Sequence, residues 1–262
     1  MNRIALVTGG GRGIGRAIAE KFASRKIKIA ICSRNLAELK ETAAFLSKNY
    51  QADALPLVCD VTDELQVEET IKKIITRWGR LDVLVNNAGI SKFGDWINTS
   101  TKDFDEVMKV NLYGTYYCSK VALALMIKQK FGRIINISSI KAFTPEDFFG
   151  SYAVSKMAII TLTKSMSLEN TKYGITVNAI CPGYVDSGHI DKKYYSKLIK
   201  EVPQRRMIMS EEIADLVSFL ARKESKGITG QAIVIGAGMG DGLESPKDIV
   251  HYTEKEKRNR DL

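Results

Sequence analysis

Tyr152 and Lys156 stand four residues apart in Tyr-Ala-Val-Ser-Lys, at the start of a long helical pattern, and thirteen residues before that tyrosine Ser139 follows the apolar run Ile134 to Ile137. A spacing of four places both side chains on one helix face. An ammonium held beside a phenol favours the phenolate, so the tyrosine pKa is expected to fall from about 10 towards working pH, as a general acid–base group requires. Tyr152 would then exchange a proton with a carbonyl or alcohol oxygen. Ser139, at the carboxyl end of a strand, is placed to hold that same oxygen, and Asn111 in Val-Asn-Leu-Tyr-Gly to position a water that relays protons to Lys156. Each of these residues alone has an ordinary reading, since most serines and asparagines satisfy local backbone groups. It is the set that carries chemistry.

A reacting partner is indicated near the N-terminus. Thr8 to Gly15 reads TGGGRGIG directly behind the apolar run Ile4 to Val7, which places a glycine-rich turn between a buried strand and a helix. Without side chains at Gly9, Gly11, Gly13 and Gly15 the main chain can turn sharply and approach a pyrophosphate, whose charge then meets the free N–H groups and positive end of the following helix. The ligand implied is a dinucleotide, with Arg12 and Ile14 inside the same loop. After the second strand comes Ser33-Arg34-Asn35, without the acid that would bind both ribose hydroxyls of NAD. Arg34, with Ser33 and Arg12, can instead meet the 2′-phosphate of NADP through a charge-assisted fork, which makes NADP(H) the expected cofactor. Asp60 and Val61 follow the third strand, where Asp60 can accept from an adenine amino group, although a helix N-cap nearby at Thr62 or Asp63 is equally ordinary. The fourth strand ends in Asn86-Asn87-Ala88-Gly89; Ala88 and Gly89 leave room for the adenine ribose, and Asn87 is expected to tie neighbouring strands together.

The elements that must position these residues follow from periodicity. Ile4 to Val7, Ile27 to Cys32, Ala54 to Cys59, Val83 to Val85, Ile134 to Ile137, Thr176 to Cys181 and Ala232 to Ile235 read as buried strands separated by amphipathic helical stretches. Continuous rather than alternating apolar strands indicate a parallel sheet covered on both faces, an α/β doubly wound, Rossmann-like domain of about seven strands that binds ligands at their carboxyl ends. Residues 1–240 are expected to form this single domain. Residues 241–262 turn polar and read as a C-terminal extension.

Composition narrows the classes further. The longest uninterrupted apolar run, Val121 to Ile127, is far below the ~18 residues that span a bilayer, and the N-terminus lacks a signal-peptide pattern, so a cytoplasmic protein away from membranes is expected. Four cysteines show no CxxC spacing and only His189 and His251 are available, which argues against a zinc site or any other metal centre and against a histidine-based hydrolase. The net charge of +9 suits an acidic partner. Two basic groups stand out, Lys192 to Arg206 and the set Lys120, Lys128, Lys130 and Arg133, and a solvated helix face explains each equally well. Nucleic acid is not expected, because interleaved basic and aromatic motifs are lacking.

Taken in order, TGGGRGIG, NNAG, Asn111, Ser139 and Tyr152-x-x-x-Lys156 resemble the short-chain dehydrogenase/reductase family over nearly the whole chain, Arg3 to Gly240. The resemblance implies that Tyr152 is the acid–base, that Lys156 lowers its pKa and binds the nicotinamide ribose, that Ser139 orients substrate and that Asn111 supports the relay. It also lays Pro182, Gly183, Val185 and Ser187 along the nicotinamide, with Ser187 where the family usually has threonine. Within the family the chain looks most like the 3-oxoacyl-[acyl-carrier-protein] reductase branch, through Gly132 to Ser139, Gly174 to Asn178 and Pro203 to Ala214. That branch implies reduction of a 3-oxoacyl thioester in fatty acid biosynthesis, a homotetramer, and basic residues such as Lys130 and Lys172 that greet an acidic carrier, although Tyr173 occupies the second of those positions. Sugar, polyol and other secondary alcohol dehydrogenases share the scaffold and remain the alternative, with a non-catalytic cofactor-binding protein behind them. The loop Pro145 to Phe149 is expected to wall the substrate pocket. Phe148 or Phe149 would contact an acyl chain; Glu146 and Asp147 would suit a hydroxylated or cationic substrate. Lys192 to Pro203 is expected to form a cover over the pocket.

Overall fold

The computed structural model describes residues 3–186, 196 and 198–240, so Ser187, the polar extension 241–262 and much of the expected cover lie outside the described residues. The chain order is β1 (Ile4–Thr8), α1 (Gly13–Ser24), β2 (Lys28–Ser33), α2 (Leu36–Tyr50), β3 (Ala54–Val58), α3 (Glu64–Trp78), β4 (Val83–Asn86), α4 (Thr101–Met108), α5 (Gly114–Gln129), β5 (Gly132–Ile137), α6 (Gly150–Asn170), β6 (Ile175–Pro182), β7 (Val185–Asp186), β8 (Ile208–Met209), α7 (Ser210–Leu220) and β9 (Ala232–Ile235). Seven strands form one parallel sheet in the order β3-β2-β1-β4-β5-β6-β9. All seven coincide with the apolar runs read from the sequence, within a residue or two at their ends.

Burial along the strands explains the order. Every residue of β1, β4, β5 and β6 is buried, as expected for strands with helices on both faces. At the edge, β3 is only half-buried and carries Pro56, a residue that donates no ladder hydrogen bond and is tolerated where one side of the strand is unpaired. Alternate residues of β1 feed two cores. Ala5 and Val7 pack with Ile18 and Phe22 of α1 and Val217 of α7, while Ile4 and Leu6 pack with Ile71 of α3 and Met126 of α5. Between β1 and β4 the strand order reverses, which opens a crevice at the carboxyl ends of the sheet where ligands bind in doubly wound folds.

The helix starts are marked in the sequence. Asn35 caps α2 by accepting from Ala37 N and Glu38 N, Asp63 caps α3 and Ser100 caps α4. At α1, unlike α2, α3 and α4, the N-cap residue, Arg12, makes no side-chain cap, so the first-turn N–H groups are left unspent beside the crevice. The two-residue pair β7/β8 leaves no periodic pattern in the sequence and was not expected. It pairs Val185 with Ile208 and Asp186 with Met209 beside the exit of β6.

Close packing at the glycine turn is severe at one position. A Cβ on Gly15 would lie 2.2 Å from the Gly9 carbonyl oxygen and 2.6 Å from Asn87 Nδ2, with no flexible side-chain end to give way on the first contact. Gly15→Ala should therefore lower stability by about 1–3 kcal/mol, the usual cost of overpacking. A thermal melt with an unchanged midpoint would contradict this account of the turn.

Candidate active site and cofactor cleft

The glycine turn is built from backbone and pinned from two directions. Gly9 N donates to Cys32 O at 2.7 Å, and Asn87 Nδ2 donates to Thr8 O at 2.9 Å and Gly9 O at 3.2 Å. Thr8 Oγ1 accepts from both Asn87 N and Ala88 N at 3.0 Å, which joins the ends of β1 and β4. Gly9 and Gly13 have φ of +64° and +53°, the left-handed region that favours glycine. The resulting cleft has a volume of about 890 Å³ and brings together Gly9, Gly11, Arg12, Gly13, Ile14, Ser33, Arg34, Asp60, Val61, Asn87, Ala88 and Gly89 from four separate turns. Asp60 also has a local duty: its Oδ1 accepts from Thr62 N at 2.9 Å and Thr62 Oγ1 at 2.8 Å, while the cap of α3 falls to Asp63.

A charged cleft residue escaped the sequence reading. Glu38, in the first turn of α2, comes within 4.0 Å of the Arg12 guanidinium, and the same turn packs so closely that a Cβ on Gly11 would lie 3.0 Å from Glu38 Cβ. The acid missing at the end of β2 is thus partly replaced from the next helix. Capping by Asn35 signals where α2 begins, yet only the packing of α2 on the glycine loop places Glu38 there. Both Arg12 and Arg34 are exposed at the rim.

Where Gly89 and Ile90 line it, the cleft adjoins Asn111 and Lys156, with Ser139 and Tyr152 nearby at the carboxyl edge of the sheet. Ser139 caps a single 3-10 turn, Ile140–Ala142, directly after β5, and Tyr152 and Lys156 lie in the first two turns of α6. Lys156 is buried; its Nζ donates to Ile137 O at 2.8 Å and lies 5.4 Å from the centre of the Tyr152 ring. The main chain beneath it is fixed as well, since Ser138 Oγ donates to Lys156 O at 2.8 Å. A Cβ on Gly89 would approach Asn111 Oδ1 to 3.2 Å and Lys156 Nζ to 3.4 Å, so the three meet only because residue 89 is small.

Asn111 sits in a π-helical turn, Lys109–Tyr113, between α4 and α5, a distortion frequent at functional sites. Its side chain is fully engaged by the protein. Oδ1 accepts from Ile90 N at 2.8 Å, and Nδ2 donates to Ile90 O at 3.0 Å and Ser155 Oγ at 2.9 Å. This clasp holds the Gly89-Ile90 turn against α6.

Electrostatics departs from expectation at the tyrosine. Burial pushes the Tyr152 phenol above its usual range, and the hydrogen bond with Ser139 pulls it back. The lysine is not among the groups that lower it: its hydrogen bond goes to Ile137 O, and burial depresses its own pKa to about 8. Proximity on a helix face fixes where the two groups lie, while desolvation decides which charge state is favoured.

Around the tyrosine stands an aromatic wall. The Phe149 ring packs edge-on to Tyr152 at 6.2 Å and to Phe93 at 4.7 Å. Phe148 turns away, with φ of +67°, and lines a separate cavity of about 620 Å³ with Trp96 and Pro145. Of the two phenylalanines expected at substrate, the structure therefore brings only Phe149 beside Tyr152. Phe93 was missed, since an irregular loop offers no periodic signal; the bridge between Gly94 and Phe149 is what places it. Pro182 ends β6, Gly183 donates to Ile235 O, and Val185 pairs with Ile208. Arg133 does not belong to the surface group expected from its neighbours. Its side chain is buried, donating to the carbonyls of Gly132, Gly174 and Arg222, because β5 carries it into the core.

Comparison with known proteins agrees with this geometry. The family model described as enoyl-(acyl carrier protein) reductase matches residues 9–240. A Bacillus subtilis (strain 168) protein named uncharacterized oxidoreductase YxjF is 37% identical over 252 residues, covering 90% of this chain and 97% of that protein. The 3-oxoacyl-[acyl-carrier-protein] reductase FabG of Staphylococcus aureus (strain Mu50) is 36% identical over 245 residues, covering 91% and 98%. Among solved structures, a single-substitution variant of actinorhodin polyketide ketoreductase with NADPH superposes with a TM-score of 0.87 at 29% identity, covering 92% of this chain and 98% of that one. A parallel sheet with an uncapped glycine turn, and a serine, tyrosine and lysine at its edge, define a nicotinamide-dependent oxidoreductase. The chain belongs to the short-chain dehydrogenase/reductase family.

The depressed lysine has a consequence for stability. Between pH about 8 and its ordinary 10.5 the unfolded chain holds a proton on residue 156 that the folded chain has released, so this residue's contribution to stability rises with pH across that window. Below pH about 8 both states hold the proton, and the cost of burying the charge is present in full. The melting temperature of the wild type relative to Lys156→Met should therefore climb from pH about 8 to 10. A flat difference would contradict the burial argument.

Proposed function

We propose that this chain catalyses the NADPH-dependent reduction of a ketone to a secondary alcohol, with a 3-oxoacyl thioester as substrate. The observation that carries the reading is the convergence of Ser139 and Tyr152 on one point, with the Lys156 ammonium 5.4 Å from the tyrosine ring. When held in the cleft, the cofactor would supply the hydride for the carbonyl carbon. Ser139 donates to the ketone oxygen and orients it, while Tyr152, kept protonated by burial, delivers its hydrogen as negative charge develops there. A protonated phenol is the form a reduction needs. Lys156, with a pKa lowered to about 8, is poised to return a proton to the phenolate, while Asn111, whose amide is taken by Ile90 and Ser155, holds the Gly89-Ile90 turn beside it.

For the cofactor, the uncapped N-terminus of α1 suits the pyrophosphate, and Arg34 and Arg12 at the rim suit a 2′-phosphate that competes with Glu38 for the second arginine. For the substrate, Phe149 and Phe93 offer an apolar wall to an acyl group. The sugar or polyol alternative loses support from Glu146, whose carboxylate is already paired with Lys141 and accepts from Tyr184. Lys128, Lys130 and Lys172 remain to receive an acidic carrier, without Arg133. A cytoplasmic homotetramer would bury the apolar side chains that α5 and α6 leave exposed, among them Tyr116, Val154 and Leu168.

Tyr152→Phe should lower kcat by about 10²-fold or more, in the range of a lost general acid, while NADPH binding changes little. Retained turnover in a stopped-flow assay would refute the assigned acid. Arg34→Ala should raise KM for NADPH about tenfold or more and leave that for NADH nearly unchanged, as expected from a lost charge-assisted contact. Equal losses with the two cofactors would remove the 2′-phosphate contact from the account.

A further inference from the structure

Two residues beyond Ser139 lies a charged side chain that the mechanism does not use. Lys141 is buried, and its ammonium is ion-paired with Glu146 and lies 3.3 Å from the Tyr184 hydroxyl and 4.5 Å over the Tyr184 ring. The Tyr184 hydroxyl donates to Glu146 Oε1 at 2.6 Å and sits 3.4 Å from Glu201 Oε2. Three segments around the site meet here: the turn after β5, the loop before α6, and the chain just past Pro182-Gly183. An ion pair out of water seldom stabilises a fold better than apolar residues of the same size, so packing alone gives little reason for it.

Position supplies one. Lys141 N donates to Ser139 Oγ at 3.2 Å, so both side chains leave the same short turn at the carboxyl edge of the sheet. An ammonium has three N–H donors. Glu146 and the Tyr184 hydroxyl take two, and the described residues provide no further polar partner. With Glu146 and Tyr184 fixing its place, the third donor is left for a further acceptor, on the same turn that carries Ser139.

We propose that Lys141 is a specificity-determining residue that hydrogen-bonds the second carbonyl oxygen of a 1,3-dicarbonyl substrate, so that the site selects 3-oxo esters and thioesters over simple ketones. This rests on the ketone-reducing site described above and names what that site reads next to the reacting carbonyl. Glu146 and Tyr184 act through Lys141 as positioning residues. The apolar wall of Phe93 and Phe149 accepts the alkyl end of the same molecule.

The test compares methyl 3-oxobutanoate with pentan-2-one in two assays. In steady-state NADPH oxidation, Lys141→Met should lower kcat/KM for the oxo ester about tenfold or more, mainly through KM, and leave the simple ketone unchanged, while Lys141→Arg recovers part of the loss. Should Lys141→Met alone disturb the fold by leaving Glu146 unpaired, Lys141→Met with Glu146→Gln, which removes that unpaired charge, should still show the selective loss. Equal losses for the two substrates would overturn the proposal. Binding of both compounds to the complex with oxidised cofactor, read by protein fluorescence, needs no turnover. A wild type that reduces neither compound yet binds the oxo ester about tenfold more tightly through Lys141 would end the ketone-reductase reading and keep this one. A wild type without that binding preference would end this one alone.

Discussion

Lys156 is an ammonium placed where water does not reach it, donating to Ile137 O at the end of β5 with Tyr152 one helical turn earlier on α6. Holding a charge there requires that α6 be locked to the sheet, and the structure does so repeatedly. Ser138 Oγ binds the lysine's own carbonyl; Asn111 clasps Ser155 and the Ile90 backbone; Gly89 is small enough to let both side chains in. Below them, Asn86 Nδ2 donates to Ser119 and Asn136, and Asn136 donates to Thr163, a buried polar chain that joins β4, β5, α5 and α6. Buried polar groups are costly unless paired, and pairing them across four elements allows few alternative registers.

The same lock sets where protons sit. Burial raises the phenol and depresses the ammonium, so the tyrosine resists losing its proton and the lysine resists keeping one. Ser139 opposes the first tendency through its hydroxyl. The protonation states of these groups are therefore a property of the edge of the sheet, where desolvation and hydrogen bonding act on the same few atoms.

At the opposite end of the cleft the limiting factor is space. α1 begins without a side-chain cap, and the glycine turn lets its N–H groups reach the crevice at the strand-order reversal. Charge at the rim is more balanced than the composition suggests, since Arg12 has Glu38 beside it and Arg16 is paired with Glu20 and Glu41. Net charge describes the whole chain; it does not say which cations are already matched.

Periodicity and motif spacing were sufficient for the seven strands, the parallel sheet, the glycine turn and the placing of Asn111, Ser139, Tyr152 and Lys156 at its edge, because each depends on residues close in sequence and on the few ways a parallel sheet can be wound. The same local information could not separate Phe148 from Phe149, or show that Arg133 is buried and that Glu38 reaches Arg12. Nor did it reveal Phe93, Lys141 and Tyr184 beside the site. Those outcomes arise where loops from distant parts of the chain pack together, and the charge state of Tyr152 belongs with them, since desolvation is a sum over all the atoms that displace water and no spacing of residues along the chain encodes it.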